Sequence, residues 1–87
     1  MTKVKINYCN KWDYFSKANA AKNLITKNFP ESEVQLNSGV GGSGAFEVYV
    51  VSSSGEETLV HSKLSGNGFL NSENWETCFN KMKPLMN

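Results

Sequence analysis

Residues 3–8, "KVKINY", alternate without a break: Val4, Ile6 and Tyr8 fall on one side of an extended chain, Lys3, Lys5 and Asn7 on the other. A strand with that pattern can bury only one face, so the elements that cover the sheet have to come from one side. The next stretch, "DYFSKANAAKNLITKNF", sets Ala18, Ala21, Leu24, Ile25 and Phe29 at helical spacing. Asp13 stands at its start as a candidate cap and Pro30 ends it, which predicts a helix of about four turns. "EVQLN" follows as a short strand with Val34 and Leu36 inward. Strand, crossover helix and second strand in so short a span predict a right-handed parallel unit.

The rest of the chain adds to that unit. "AFEVYVV" and "ETLVHSKL" are β-rich runs separated by "SSSGE", the pattern of a hairpin. Trp75, Cys78, Phe79, Met82, Leu85 and Met86 then recur at helical spacing behind "NSEN", where Ser72 or Asn74 is the candidate cap. The order β-α-β-β-β-α predicts one α/β (α+β) domain over residues 1–87, a thioredoxin-like fold. It consists of a four-stranded mixed sheet with both helices on one face and Val4, Ile6, Ile25, Leu36, Phe46, Val48 and Phe79 in the core.

Composition narrows the function classes. A chain of 87 residues supports a thin core and no deep enclosed pocket. All nine basic residues are Lys, so the bidentate forks that favour phosphate and base edges are missing, and nucleic acid is not expected as a partner. No apolar run is long enough for a bilayer, and "MTKVKINYC" passes into the first strand without an apolar signal core. No membrane association is expected. Two cysteines do not make the disulfide framework of a small secreted domain, so a reducing, cytoplasmic setting is expected.

Several short stretches carry more than a pattern. "V-x-I-x-Y-C" opens the chain, "FP" closes the first helix, "FEV" marks the third strand, and "LVHSK" with "GNGF" marks the fourth strand and its exit turn. In the order and spacing of these pieces, from Val4 to about Phe69, the chain resembles the selenoprotein W family of small thioredoxin-like redox proteins. Members carry Cys-x-x-Sec or Cys-x-x-Cys after the first strand, so the resemblance puts Cys9 on the first redox position and Trp12 on the second. It implies a glutathione-linked thiol oxidoreductase or antioxidant with Cys9 as the nucleophile, no bound cofactor or metal, and glutathione as cosubstrate. It also implies protein partners such as 14-3-3 proteins, without mapping them onto residues. The alternative is a non-catalytic interaction module of the same fold.

A thiolate at a strand-to-helix junction is favoured by the positive end of the helix, and a second sulfur or selenium three residues on can close or resolve a disulfide. With Trp12 there, only single-thiol chemistry is left: attack on a disulfide, a glutathione adduct, or a sulfenic acid that another thiol resolves. Three origins of Trp12 stay open from the protein sequence. It is a native residue of a single-thiol member, a UGA selenocysteine codon read as Trp, or a deliberate replacement. A Trp in a loop is also a contact residue of the kind enriched at interaction hot spots. Lys11 and Asp13 pull the Cys9 thiol in opposite directions, so the sequence sets no direction for its pKa.

The other candidates read as structural. Cys78 falls on the apolar stripe of the last helix, where a free Cys acts as a small hydrophobe. His61, the only His, is expected to be a half-exposed strand residue because no metal-ligand pattern surrounds it. "SGVGGSG" lacks the Lys-Ser/Thr of a phosphate loop and is expected to be a mobile connection. Pro30 and Pro84 are the only prolines, and neither stands where a thioredoxin has its cis-proline. Glutathione-linked chemistry is therefore expected over chemistry linked to thioredoxin reductase.

Overall fold

The computed structural model describes residues 2–11, 13–40, 42–66, 68–71 and 73–86. Strand β1 (Lys3–Tyr8) is followed by helix α1 (Tyr14–Asn28), strands β2 (Glu33–Ser38), β3 (Phe46–Val51) and β4 (Glu57–Ser62), and helix α2 (Trp75–Met82). The sheet order is β2-β1-β3-β4. β1 pairs parallel with β2, Ile6 opposite Leu36, and antiparallel with β3, Ile6 opposite Val48. The expected topology is present, with α1 as the crossover that a parallel pair requires.

Alternation in β1 decides what the sheet buries. Val4, Ile6 and Tyr8 share a face with Val50, Val48 and Phe46 across the β1–β3 ladder, and all six are buried. Ala18, Ala21 and Ile25 of α1 and Cys78, Phe79 and Met82 of α2 close over that face in one continuous cluster. Phe29, the residue that follows α1, packs its ring edge-on against Phe79 of α2, with centroids 5.2 Å apart. Both helices therefore lie on the same face. Of the expected core, Val4, Ile6, Ile25, Phe46, Val48 and Phe79 are buried, whereas Leu36 is only partly buried. The reason is position, because β2 is an edge strand.

The open face is less uniformly wet than alternation implies. Asn37 Nδ2 donates to Asn7 Oδ1 at 2.8 Å, and further across the sheet Ser62 Oγ donates to Glu47 Oε1 at 2.6 Å. Glu47 and Ser62 are both buried, and Glu47 Oε2 has no hydrogen-bond partner among the described residues. An irregularity in the β3–β4 ladder skips Val60, since Val48 faces His61 and Tyr49 faces Leu59. Such a bulge re-aims side chains, and here Val60 and His61 both line a pocket against α2.

The helix starts differ from expectation. Asp13 occupies the N-cap position of α1 but has a positive φ of 71° and makes no side-chain cap. Its carboxylate and its carbonyl instead accept from the Ser16 hydroxyl. Asn74 precedes α2, also without capping it: its Oδ1 accepts from the Asn71 N–H and its Nδ2 donates to the Phe69 carbonyl. Ser72, the other candidate, lies outside the described residues. Met82 ends α2, and Pro84 continues it as one 3-10 turn, Lys83–Leu85. No helix among the described residues is long and apolar enough to cross a membrane.

Candidate functional site

Cys9 is the first residue past β1, at the end of the sheet where α1 begins. Its backbone is held from two sides, for the Cys9 N–H donates to the Ala45 carbonyl at 2.9 Å and the Gly39 N–H donates to the carbonyl of Tyr8 at 2.7 Å. The residue is 5% exposed, yet it borders a shallow cleft of about 220 Å³ lined also by Asn10, Lys11, Gly39, Gly42 and Ser43. The segment expected to be a mobile connection is thus one wall of the site. Two of its glycines are needed there: Gly39 with φ 75° and Gly44 with φ 77° turn the chain in a region that side chains disfavour.

The electrostatics follow from that wall. The backbone N–H of Gly44 is the largest influence on the Cys9 thiol and lowers its pKa from the ordinary value. Burial opposes it, while the Lys11 N–H, the Lys11 ammonium and the Asn10 N–H act in the same direction as Gly44. N–H groups directed at one atom favour negative charge on it, and here those of Gly44, Lys11 and Asn10 act on the Cys9 sulfur. Asp13, expected to raise the pKa, has its carboxylate engaged by Ser16 and does not figure among these influences. The direction is therefore settled by the glycine loop, a contribution that no residue spacing within "NYCNKWDY" reveals. Only the glycine richness of residues 39–44 hinted at it.

The remaining candidates fall apart from this site. Trp12 lies outside the described residues. Cys78 is 1% exposed, its Sγ–H directed at Met82 Sδ at 3.8 Å, and burial pushes its pKa up to about 12. It is a core thiol, as its place on the helix stripe predicted. His61 is buried rather than half-exposed because the bulge turns it inward. Its Nε2–H donates to the Gly68 carbonyl at 2.7 Å and its ring meets Phe46 edge-on at 6.5 Å. Burial lowers its pKa, the Gly68 carbonyl and Glu47 oppose that, and Lys81 adds to it. Among the described residues, no group of three or more His, Cys, Asp or Glu is placed to hold a metal ion.

A four-stranded mixed sheet with two helices on one face, and a thiol in a cradle of N–H groups at the junction of the first strand and helix, defines a small thioredoxin-like protein with a cysteine site. The family model described as Rdx family matches residues 3–79. The chain therefore belongs to the Rdx family, which includes selenoprotein W and related thioredoxin-like redox proteins. The comparison with curated proteins found no match.

Proposed function

We propose that the protein is a cytoplasmic, glutathione-linked thiol redox protein that works through Cys9 alone. The supporting observation is the set of N–H groups from Gly44, Lys11 and Asn10 that favours the Cys9 thiolate beside an open cleft. The thiolate is the nucleophile in disulfide exchange. It attacks one sulfur of oxidised glutathione, forming a Cys9–S–S–glutathione bond while the other glutathione leaves as a thiolate and takes a proton from water. With Trp at position 12 the loop holds no second sulfur, so a second thiol from outside has to break the adduct.

Incubation with oxidised glutathione is expected to add one glutathione per chain, lost in Cys9→Ser and stable until a free thiol is supplied. In Trp12→Cys, a loop disulfide is expected to form and eject the adduct, raising glutathione-dependent disulfide reduction. Intact mass and turnover measure both. Absence of any adduct on the parent chain, with no gain in Trp12→Cys over Cys9→Ser, would point instead to a non-catalytic interaction module. Binding of 14-3-3 proteins would then be tested first.

A further inference from the structure

A second cleft lies along α1. Lys17, Ala20 and Leu24 of α1 form one wall, and Phe69, Leu70 and Asn71 after β4 form the other, enclosing about 380 Å³. Phe69 meets the Tyr14 ring edge-on, with centroids 5.0 Å apart. The Tyr14 hydroxyl in turn lies 3.9 Å from where a Cβ on Gly44 would stand, and Gly44 supplies the main N–H to Cys9. One aromatic side chain therefore spans the ground between the two clefts.

Cations collect along that ground. Lys17 Nζ stands 5.9 Å from the Phe69 ring centroid, and Lys63 Nζ stands 5.5 Å from Phe69 and 5.9 Å from Tyr14. Ring faces attract ammonium groups and hold them in place. The ion pairs among the described residues, Lys3–Glu33 and Lys5–Glu57, use carboxylates that begin β2 and β4, at the opposite end of the sheet. Lys17, exposed on the groove wall, and half-buried Lys63 take part in neither of these pairs, and both stand over the aromatic rings beside the groove.

We propose that the disulfide presented to Cys9 belongs to an acidic protein segment that seats an apolar side chain in the α1 cleft and sets carboxylates against Lys17 and Lys63. This rests on Cys9 being the nucleophile. About four extended residues, ~13 Å of chain, are taken as the span between the segment's sulfur and its apolar side chain. Glutathione brings no apolar side chain for the groove, which fits it as the reductant and the acidic segment as the substrate. The Cys9 thiolate attacks the nearer sulfur of the segment's disulfide. A bond forms between Cys9 and that sulfur, and the other sulfur leaves as a thiolate that takes a proton from water. Surface charge pairs of this kind act on encounter rate and salt dependence more than on bound affinity.

The test uses cysteine peptides activated as thiopyridyl disulfides, with the rate followed by thiopyridone release. It is taken as a ratio to the rate with the small neutral reagent dithiodipyridine, which reports the intrinsic reactivity of the thiol. One peptide carries Leu four residues from Cys with Glu between, a second has Lys for Glu, and a third has Ser for Leu. The acidic Leu peptide is expected to react at least about tenfold faster than the Lys peptide in low salt. That advantage should shrink to about twofold in 1 M NaCl and in the double variant Lys17→Gln/Lys63→Gln. The Ser peptide should fall between. Equal ratios for acidic and basic peptides, or an acidic preference untouched by the Lys17 and Lys63 changes, would overturn the docking surface while leaving Cys9 a nucleophile. No reaction even with dithiodipyridine would overturn both.

Discussion

Cys9 and Cys78 are the same side chain in opposite surroundings. At Cys9 the backbone supplies donors to the sulfur; at Cys78 burial withdraws solvent and offers only a thioether. Iodoacetamide should therefore label Cys9 and leave Cys78 untouched until the protein unfolds, with a rate that rises with pH to a plateau above the lowered Cys9 pKa. Gly44 is the residue on which that rate turns. A Gly44→Ala change faces no close atom, since the nearest, Tyr14 Oη, is 3.9 Å away, but it places a side chain at φ 77°. That conformation costs about 1–2 kcal/mol for a residue with a Cβ. The loop is expected to relax away, carrying the N–H with it. The midpoint of the labelling profile should move to higher pH in Gly44→Ala, and an unmoved midpoint would mean that the Gly44 N–H does not hold the thiolate.

Of the two helices, α2 is the shorter. It has eight residues, too few to persist alone in water, so its stability comes from the face it buries. Phe79 on that face is 2% exposed and sits between Phe29 and Trp75, with both ring pairs at 5.2 Å. Phe79→Ala should cost roughly 3–5 kcal/mol in denaturant unfolding, because the cavity would open between Phe29 and Trp75 in the core. A loss below about 1 kcal/mol would show that the ring is not packed in the core as described. α1 joins the core through Ala18, Ala21 and Ile25, as α2 also does through Cys78 and Met82. The β4 bulge is the other decisive element, for it converts a strand position that alternation would expose into the buried site of His61.

At the scale of the whole molecule, that buried imidazole ties folding to pH. Its folded pKa lies below the ordinary value of 6.5, chiefly through burial, with Lys81 on α2 acting the same way and Gly68 and Glu47 against it. Below 6.5 the unfolded chain takes up a proton that the folded chain resists, so stability is undiminished above that value and falls as pH drops from it toward the folded pKa. Denaturant midpoints between pH 7.5 and 5.5 should decline more steeply for the parent chain than for His61→Gln, whose amide can still donate to the Gly68 carbonyl. Equal slopes would mean that the folded ring takes up its proton as readily as the unfolded one, so that burial does not lower its pKa.

The period-two run at residues 3–8, the later β-rich runs and the helical stripes at 18–29 and 75–86 predicted the element order and the covered face, because each is a local consequence of burying one side of a strand or helix, though the last stripe ends as α-helix at Met82. The thiol at position 9, too, was legible from its place after the first strand. What sequence spacing did not contain is any interaction between segments far apart in the chain. Whether Leu36 is covered depends on β2 being at the edge, and whether His61 is inward depends on a ladder irregularity with β3. The pKa direction of Cys9 depends on an amide 35 positions away at Gly44, brought beside it by the pairing of β1 with β3. Backbone donors have no side-chain signature, and only the tertiary structure decides which sulfur they surround.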